Sequence, residues 1–136
     1  MSRMKNLQIA AMAALVAGAV LAPVGAQAQQ NGVTRTDLQR HDLSAPGREV
    51  VQVRVDFDPG FVAPMHTHPG EEMGYVLEGT LVLELEGQPP VTLKAGEAFF
   101  VPAGIVHDGR NVGTGPAKVL ATYIVEKGKP IATPVK

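Results

Sequence analysis

The sequence predicts an all-β sandwich or barrel. Three observations carry this. Short runs alternate apolar with polar residues at the two-residue period of a half-buried strand. Glycine and proline turns separate them at close spacing, with 15 Gly and 11 Pro in 136 residues. No stretch after the first 28 residues carries a convincing helical period, which leaves sheet packed on sheet as the layer architecture.

The first 28 residues read as an export leader rather than as part of the fold. Arg3 and Lys5 form a short positive region, Leu7 to Ala22 is an apolar run interrupted only by Gln8, and Pro23 and Gly25 break it before a small-x-small site at Ala26-Gln27-Ala28. The run is short for a membrane span, and without an Arg-Arg pair a twin-arginine signal is not supported. A periplasmic or secreted location follows, and any metal would be acquired outside the cytoplasm. Removal of the leader takes two positive charges from a chain of net charge −1. A weakly acidic domain without a basic run gives no support for nucleic-acid binding, and no hydrophobic span remains to hold it in a membrane. With no cysteine, the domain has neither disulfides nor a thiolate ligand.

Residues 29–48 form a mixed polar N-terminal arm or edge strand, in which Thr36 to Arg40 could also make a helical turn. His41, a lone histidine here, reads as a surface side chain. The β-domain is expected over 49–126. Glu49 to Phe57 is its clearest strand, with Val51, Val53, Val55 and Phe57 on one face and Gln52, Arg54 and Asp56 on the other. Asp58-Pro59-Gly60 turns the chain into a second short strand, Phe61 to His68, which Pro64 places at an edge or bulge. After Pro69-Gly70 come Glu72 to Leu77, then the alternating Leu81, Leu83 and Leu85, then Val91 to Lys94 and Ala98 to Val101 across the turn at Ala95-Gly96. Pro102-Ala103-Gly104 precedes Ile105 to Asp108, and Gly109 to Pro116 is a loop. Lys118 to Val125 is the last strand, apolar on both faces: Val119, Ala121, Tyr123 and Val125 on one, Leu120 and Ile124 on the other. A strand apolar on both sides calls for cover on both sides, and a homodimer would supply the second. A polar tail, 127–136, closes the chain.

Three of the four histidines, His66, His68 and His107, lie between Gly60 and Asn111. His66 and His68, two apart on an expected strand, send both imidazoles to one face. Glu72 returns from the next strand after the turn, and Pro102-x-Gly104 bends the chain to aim His107 inward. Three imidazoles and one carboxylate suit one divalent transition metal. Four protein ligands leave about two positions of an octahedron for water, substrate or dioxygen, and open positions favour chemistry over a structural role. The ion's identity (Mn, Fe, Ni, Cu or Zn) is not legible. Glu71, the competitor to Glu72, should face the other way. Met65 and Tyr75 should point away from the site, Asn111 reads as a turn residue rather than a ligand, and Val62, Pro64 and Ile105 are candidates for an apolar wall. Gly60, Gly79 and Gly96 fall at turns where positive φ or close strand approach is needed.

The spacing Gly60-x5-His66-x-His68-x3-Glu72-x6-Gly79, followed after sixteen residues by Gly96-x5-Pro102-x-Gly104-x2-His107-x3-Asn111, resembles the two motifs of the cupin superfamily at all ten positions. The resemblance implies a small single-domain jelly-roll barrel with His66, His68, Glu72 and His107 as ligands of a central metal. It also implies a wide range of activities. The simplest is a dioxygenase similar to the small bacterial quercetin-dioxygenase-like members, acting on a small enolizable or phenolic compound, with Glu72 doubling as a catalytic base. A lyase, decarboxylase or isomerase using the same Lewis-acid step is the second reading, and a non-catalytic module binding a small ligand or the metal itself is the third.

Overall fold

The computed structural model describes residues 28–30 and 32–136. The expected leader, 1–28, therefore lies outside the described residues except for Ala28. All regular structure among the described residues is strand. None of it is a helix long and apolar enough to cross a membrane.

Eleven strands form two antiparallel sheets. They are β1 (Ala28–Gln30), β2 (Val33–Asp42), β3 (Arg48–Phe57), β4 (His66–Thr67), β5 (Gly70–Glu78), β6 (Thr80–Leu85), β7 (Val91–Lys94), β8 (Ala98–Val101), β9 (His107–Asn111), β10 (Ala117–Glu126) and β11 (Thr133–Pro134). One sheet has the order β1-β2-β3-β10-β5-β8, and the other β11-β4-β9-β6-β7. The sheets pack face to face as a jelly roll, the all-β class expected from the alternating strands.

The core follows the period-two pattern. Val51, Val53, Val55 and Phe57 of β3 are buried, as are Leu81, Leu83 and Leu85 of β6 and Val119, Ala121, Tyr123 and Val125 of β10. β10 lies between β3 and β5 and pairs with both, and its inward residues Ala117, Val119, Ala121, Tyr123 and Val125 are all buried. Its outward residues Leu120 and Ile124 are only half-buried. Around them Met73, Tyr75 and Leu77 of β5 and Phe100 of β8 are exposed, with Met73 opposite Phe100 in the register.

The chain settles one open alternative and departs from the sequence pattern in three places. Residues 33–42 take the strand alternative and not the helical turn. β2 pairs with β3 from Val33 opposite Phe57 to Asp42 opposite Glu49, with an irregularity at Asp37/Gln39. Phe61 to His68 is mostly not ladder: Pro64 lacks the N–H that a ladder needs, and pairing is confined to β4 and one bridge from Val62 to Arg110. The strand carrying His107 runs three residues further than Ile105 to Asp108 indicated, because Gly109, Arg110 and Asn111 pair with β6. The polar tail returns to the barrel, with Thr133 opposite Thr67 and Pro134 opposite His66.

Gly60, Gly79 and Gly96 all have positive φ, at 74°, 79° and 92°. At Gly79 a second constraint adds to this, since a Cβ would meet the Pro116 carbonyl oxygen at 2.5 Å. Asn111 is not simply a turn residue. Its buried amide donates to the carbonyls of Phe57, Asp58 and Gly115, and its oxygen accepts from Gly113 N–H. It ties the 57–60 turn to the 112–116 loop and leaves those buried groups satisfied.

Candidate metal centre

The two sheets bring together what the sequence separates. His66 on β4 sits directly opposite His107 on β9, so one antiparallel pair joins the two motifs. His68 follows β4, and Glu72 lies two residues into β5 on the facing sheet, paired with Tyr123. The Pro102–Gly104 turn is held against the first motif by Gly104 N–H donating to the His68 carbonyl at 3.0 Å. That bond places His107 beside His66 and His68.

One ring nitrogen from each of the three histidines lies within 4.8 Å of the others. The ring centroids are 4.3 Å apart for His66 and His107, 4.8 Å for His68 and His107, and 4.9 Å for His66 and His68. Glu72 Oε2 stands 3.0 Å from His68 Nε2 and 3.3 Å from His107 Nε2. His68, His107 and Glu72 are almost fully buried.

The outer ring nitrogens set the tautomers. His66 Nδ1 donates to the Pro64 carbonyl (2.8 Å), His68 Nδ1 to Ile131 (2.6 Å) and His107 Nδ1 to Ile105 (2.9 Å). A carbonyl only accepts, so each Nδ1 carries a hydrogen, and in the neutral ring each Nε2 presents a bare lone pair. Backbone carbonyls holding the far nitrogen are the usual means of orienting metal-ligating histidines. His68 Nε2 is buried with no hydrogen-bond partner among the described residues. Its 3.0 Å approach to Glu72 Oε2 sets two acceptors against each other, because the ring hydrogen is on Nδ1. Three converging lone pairs and a buried carboxylate form a donor set of the kind that suits a divalent cation.

The charges agree. Burial lowers the His66 pKa to about 4, so this ring is neutral at ordinary pH. For Glu72 burial alone would raise the pKa, but the contacts with His107 and His68 outweigh it and hold the carboxyl at about 2. Burial alone would lower His107, and Glu72 outweighs that too, leaving its pKa raised.

Two cavities that share lining residues flank the centre. The inner one, about 40 Å³, is bordered by His66, Glu72, His107, Phe99, Arg35 and Tyr123 among others. The outer one, about 300 Å³, opens beyond His66 and shares Arg35, Ala63 and Tyr123 with it. Phe99 reaches the inner cavity across Gly74, where a Cβ would lie 2.0 Å from its ring. Tyr123 stacks against His68 with centroids 4.8 Å apart. Burial raises its hydroxyl pKa, and Glu72 raises it further while Arg35 opposes, so it stays a neutral phenol.

The remaining sequence expectations divide. Met65 and Tyr75 are exposed, and His41 lies on the surface. Glu71 is only partly covered, whereas Glu72 faces the histidines. Of the proposed wall residues, Pro64 lines the outer cavity. Val62 is half exposed, and Ile105 packs against the core rather than lining either cavity. Arg35, Phe99, Tyr123 and the tail residues Ile131, Ala132 and Pro134 were not legible as site residues. Only Tyr123 left a signal, since β10 had one polar-tipped side chain on its apolar inward face.

Comparison with known proteins places these features. The Cupin domain family profile matches residues 53–123. The chain is 40% identical over 86 residues to germin-like protein subfamily 2 member 2 of Arabidopsis thaliana, covering 57% of this chain and 39% of that protein. It is 33% identical over 114 residues to oxalate oxidase GF-3.8 of Triticum aestivum, covering 76% of this chain and 50% of that protein. The chain thus spans half or less of the length of these relatives. Among solved structures, an oxalate oxidase in complex with the substrate analogue glycolate superposes with a TM-score of 0.63 at 29% identity, over 83% of this chain and 60% of that one. These relatives are of germin and oxalate oxidase type, so they do not carry the narrower expectation of a quercetin-dioxygenase-like member.

Proposed function

The chain belongs to the cupin domain family, and from that premise we propose that it is an exported mononuclear metal-dependent enzyme that oxidises a small oxygen-bearing organic anion with dioxygen. The observation that carries the reading is the set of three Nε2 lone pairs and one buried carboxylate converging on one point, with each imidazole locked by a backbone carbonyl. His66, His68, Glu72 and His107 would hold the ion. It would supply a Lewis-acid and, for a redox-active metal, an electron-accepting centre beside the cavities.

The chain's own residues divide the remaining work. Three neutral rings and one carboxylate leave a divalent site with net charge +1, which favours an anionic ligand. The apolar lining, with Val33, Val53, Ala63 and Ile131, excludes water and strengthens that attraction. Glu72 Oε2 is the base nearest the centre. Similarity to the oxalate oxidases supports a small acid as substrate over a large phenol, as does an outer cavity of about 300 Å³.

The test is oxygen uptake by protein loaded in turn with Mn²⁺, Fe²⁺, Ni²⁺, Cu²⁺ and Zn²⁺, against a panel of small carboxylic, hydroxy- and keto-acids and phenols. Uptake with one metal, lost in Glu72→Gln, is expected. Turnover that persists without oxygen would replace the oxidase reading with a lyase, decarboxylase or isomerase. Binding without any turnover would replace it with a small-ligand or metal-binding module.

The export-leader pattern read in the sequence of residues 1–28 supports a periplasmic or secreted location. The exposed apolar outer face of β5 and β8 supports a homodimer built on Met73, Tyr75, Leu77 and Phe100. Sedimentation is expected to give a dimer mass that Phe100→Lys converts to a monomer. A monomeric wild type would remove the dimer.

A further inference from the structure

Arg35 lies outside both cupin motifs, on a strand that the sequence offered only as an arm or edge. It faces inward with Val33, two residues away on the same face of β2, while its register partner on β3 is the buried Val55. It borders both the outer and the inner cavity, and its guanidinium acts on the Tyr123 hydroxyl, which in turn faces Glu72. So a cation borders both cavities, which His66 also lines, and His107 and Glu72 line the smaller one.

Among the described residues three of the other arginines make ion pairs and Arg48, like Arg35, makes none, but of these only Arg35 borders the two cavities. Arg40 pairs with Glu49, Arg54 with Asp56, and Arg110 with Asp108 and Glu84. Arg35 is partly buried, yet among the described residues it has no carboxylate within 4 Å. Asp37 borders the same outer cavity from two residues along β2 but is exposed and makes no ion pair with it. A partly buried guanidinium is costly to leave uncompensated, and its planar fork matches a carboxylate in bidentate geometry. Tyr123, kept neutral by burial and by Glu72, is a hydrogen donor beside it.

We infer that Arg35 is the specificity-determining residue that anchors the carboxylate of the organic anion, leaving that ligand's second oxygen function to reach the histidine centre. This rests on the metal-dependent reading above and narrows it. Neutral phenols and sugars lack the group that Arg35 would hold, whereas a small carboxylate with an adjacent hydroxyl, keto or second carboxyl group spans both positions. Arg35 acts on affinity for the acid and touches none of the four proposed ligands of the metal.

The test uses full-length mature protein loaded with Co²⁺, whose visible spectrum reports ligands entering its coordination sphere. Glycolate and glycolamide share a skeleton and differ in charge, so their titrations isolate the anion term. Wild type is expected to bind glycolate in clear preference to glycolamide. Arg35→Met and Arg35→Gln are expected to weaken glycolate by tenfold to about a hundredfold, as for loss of a charged hydrogen-bonded pair, with glycolamide affinity and Co²⁺ stoichiometry unchanged. Arg35→Lys, which keeps the charge without the fork, should fall between. Unchanged glycolate binding in folded, cobalt-loaded variants would overturn the role of Arg35 and leave the metal reading standing. Equal weakening of both probes would also overturn it, by showing a general effect on the cavity. A wild type that takes up no Co²⁺ would overturn both. Two different neutral substitutions guard against misfolding of either one.

Discussion

Replacing His107 with Ala is expected to abolish one-per-chain metal binding and to erase the thermal stabilisation that the metal confers. The ligands come from both sheets: His66 and His68 from β4 and its end, His107 from β9, and Glu72 from β5. An ion at their centre cross-links segments that the unfolded chain holds far apart, so its binding energy is folding energy. At free metal about a thousandfold above the dissociation constant, linkage contributes about 4 kcal/mol. For a domain near 100 residues that corresponds to roughly 15–30 °C in Tm. Chelation should therefore lower the wild-type Tm by roughly that amount and leave His107→Ala almost unmoved. Elemental analysis beside the melting curves checks both. Full metal content in His107→Ala, or a chelator-insensitive wild type, would rule out the four-ligand centre. Glu72→Gln is the companion variant. It keeps the shape of the side chain but removes the charge that offsets the ion, so metal should be weakened more than the metal-free fold.

Gly70→Ala is expected to be the most destabilising single-methyl addition in the barrel. A Cβ there would lie 1.9 Å from the Ile124 carbonyl oxygen and 2.8 Å from Val125 Cα. Both are backbone atoms of β10 that cannot rotate away, so β5 would have to part from β10 at the pair that starts the ladder. Overpacking a tight site costs about 1–3 kcal/mol when side chains can yield, and this contact is expected to exceed about 3 kcal/mol. The displaced segment carries Glu72 two residues on, so metal affinity should fall with stability. Gly115→Ala is the control, because that position has open space and no positive φ. It is expected to lie within about 0.5 kcal/mol of wild type. Urea midpoints of the three proteins decide the matter, and a Gly70→Ala protein as stable as Gly115→Ala would refute the close approach.

The four proposed ligands could be named from the chain alone because ligand chemistry is written in residue type and spacing. His66-x-His68 and Glu72 lie within seven residues, and His107 follows a turn of fixed geometry. Glu72 could be chosen over Glu71 from strand parity together with motif spacing, and parity likewise turned Met65 and Tyr75 outward. Parity failed for Val62 and Ile105, which lie in irregular segments where the two-residue period does not hold. It was also blind to the role of Asn111, whose four hydrogen bonds join segments up to 54 residues apart.

What the sequence by itself determined is the all-β class, the positions of most strands and the four residues that meet at the centre. These follow from alternation, turn chemistry and motif spacing, all of which are local. Only the tertiary structure decided which carbonyls orient the rings, that the C-terminal tail supplies one of them through Ile131, and that β2 brings Arg35 to the border of both cavities. The physical reason is that a carbonyl has no residue-specific signature. A polar arm or tail, in turn, shows no apolar face to mark where it will pair. Both acquire a role only when hydrogen bonding along a sheet edge brings distant segments into register.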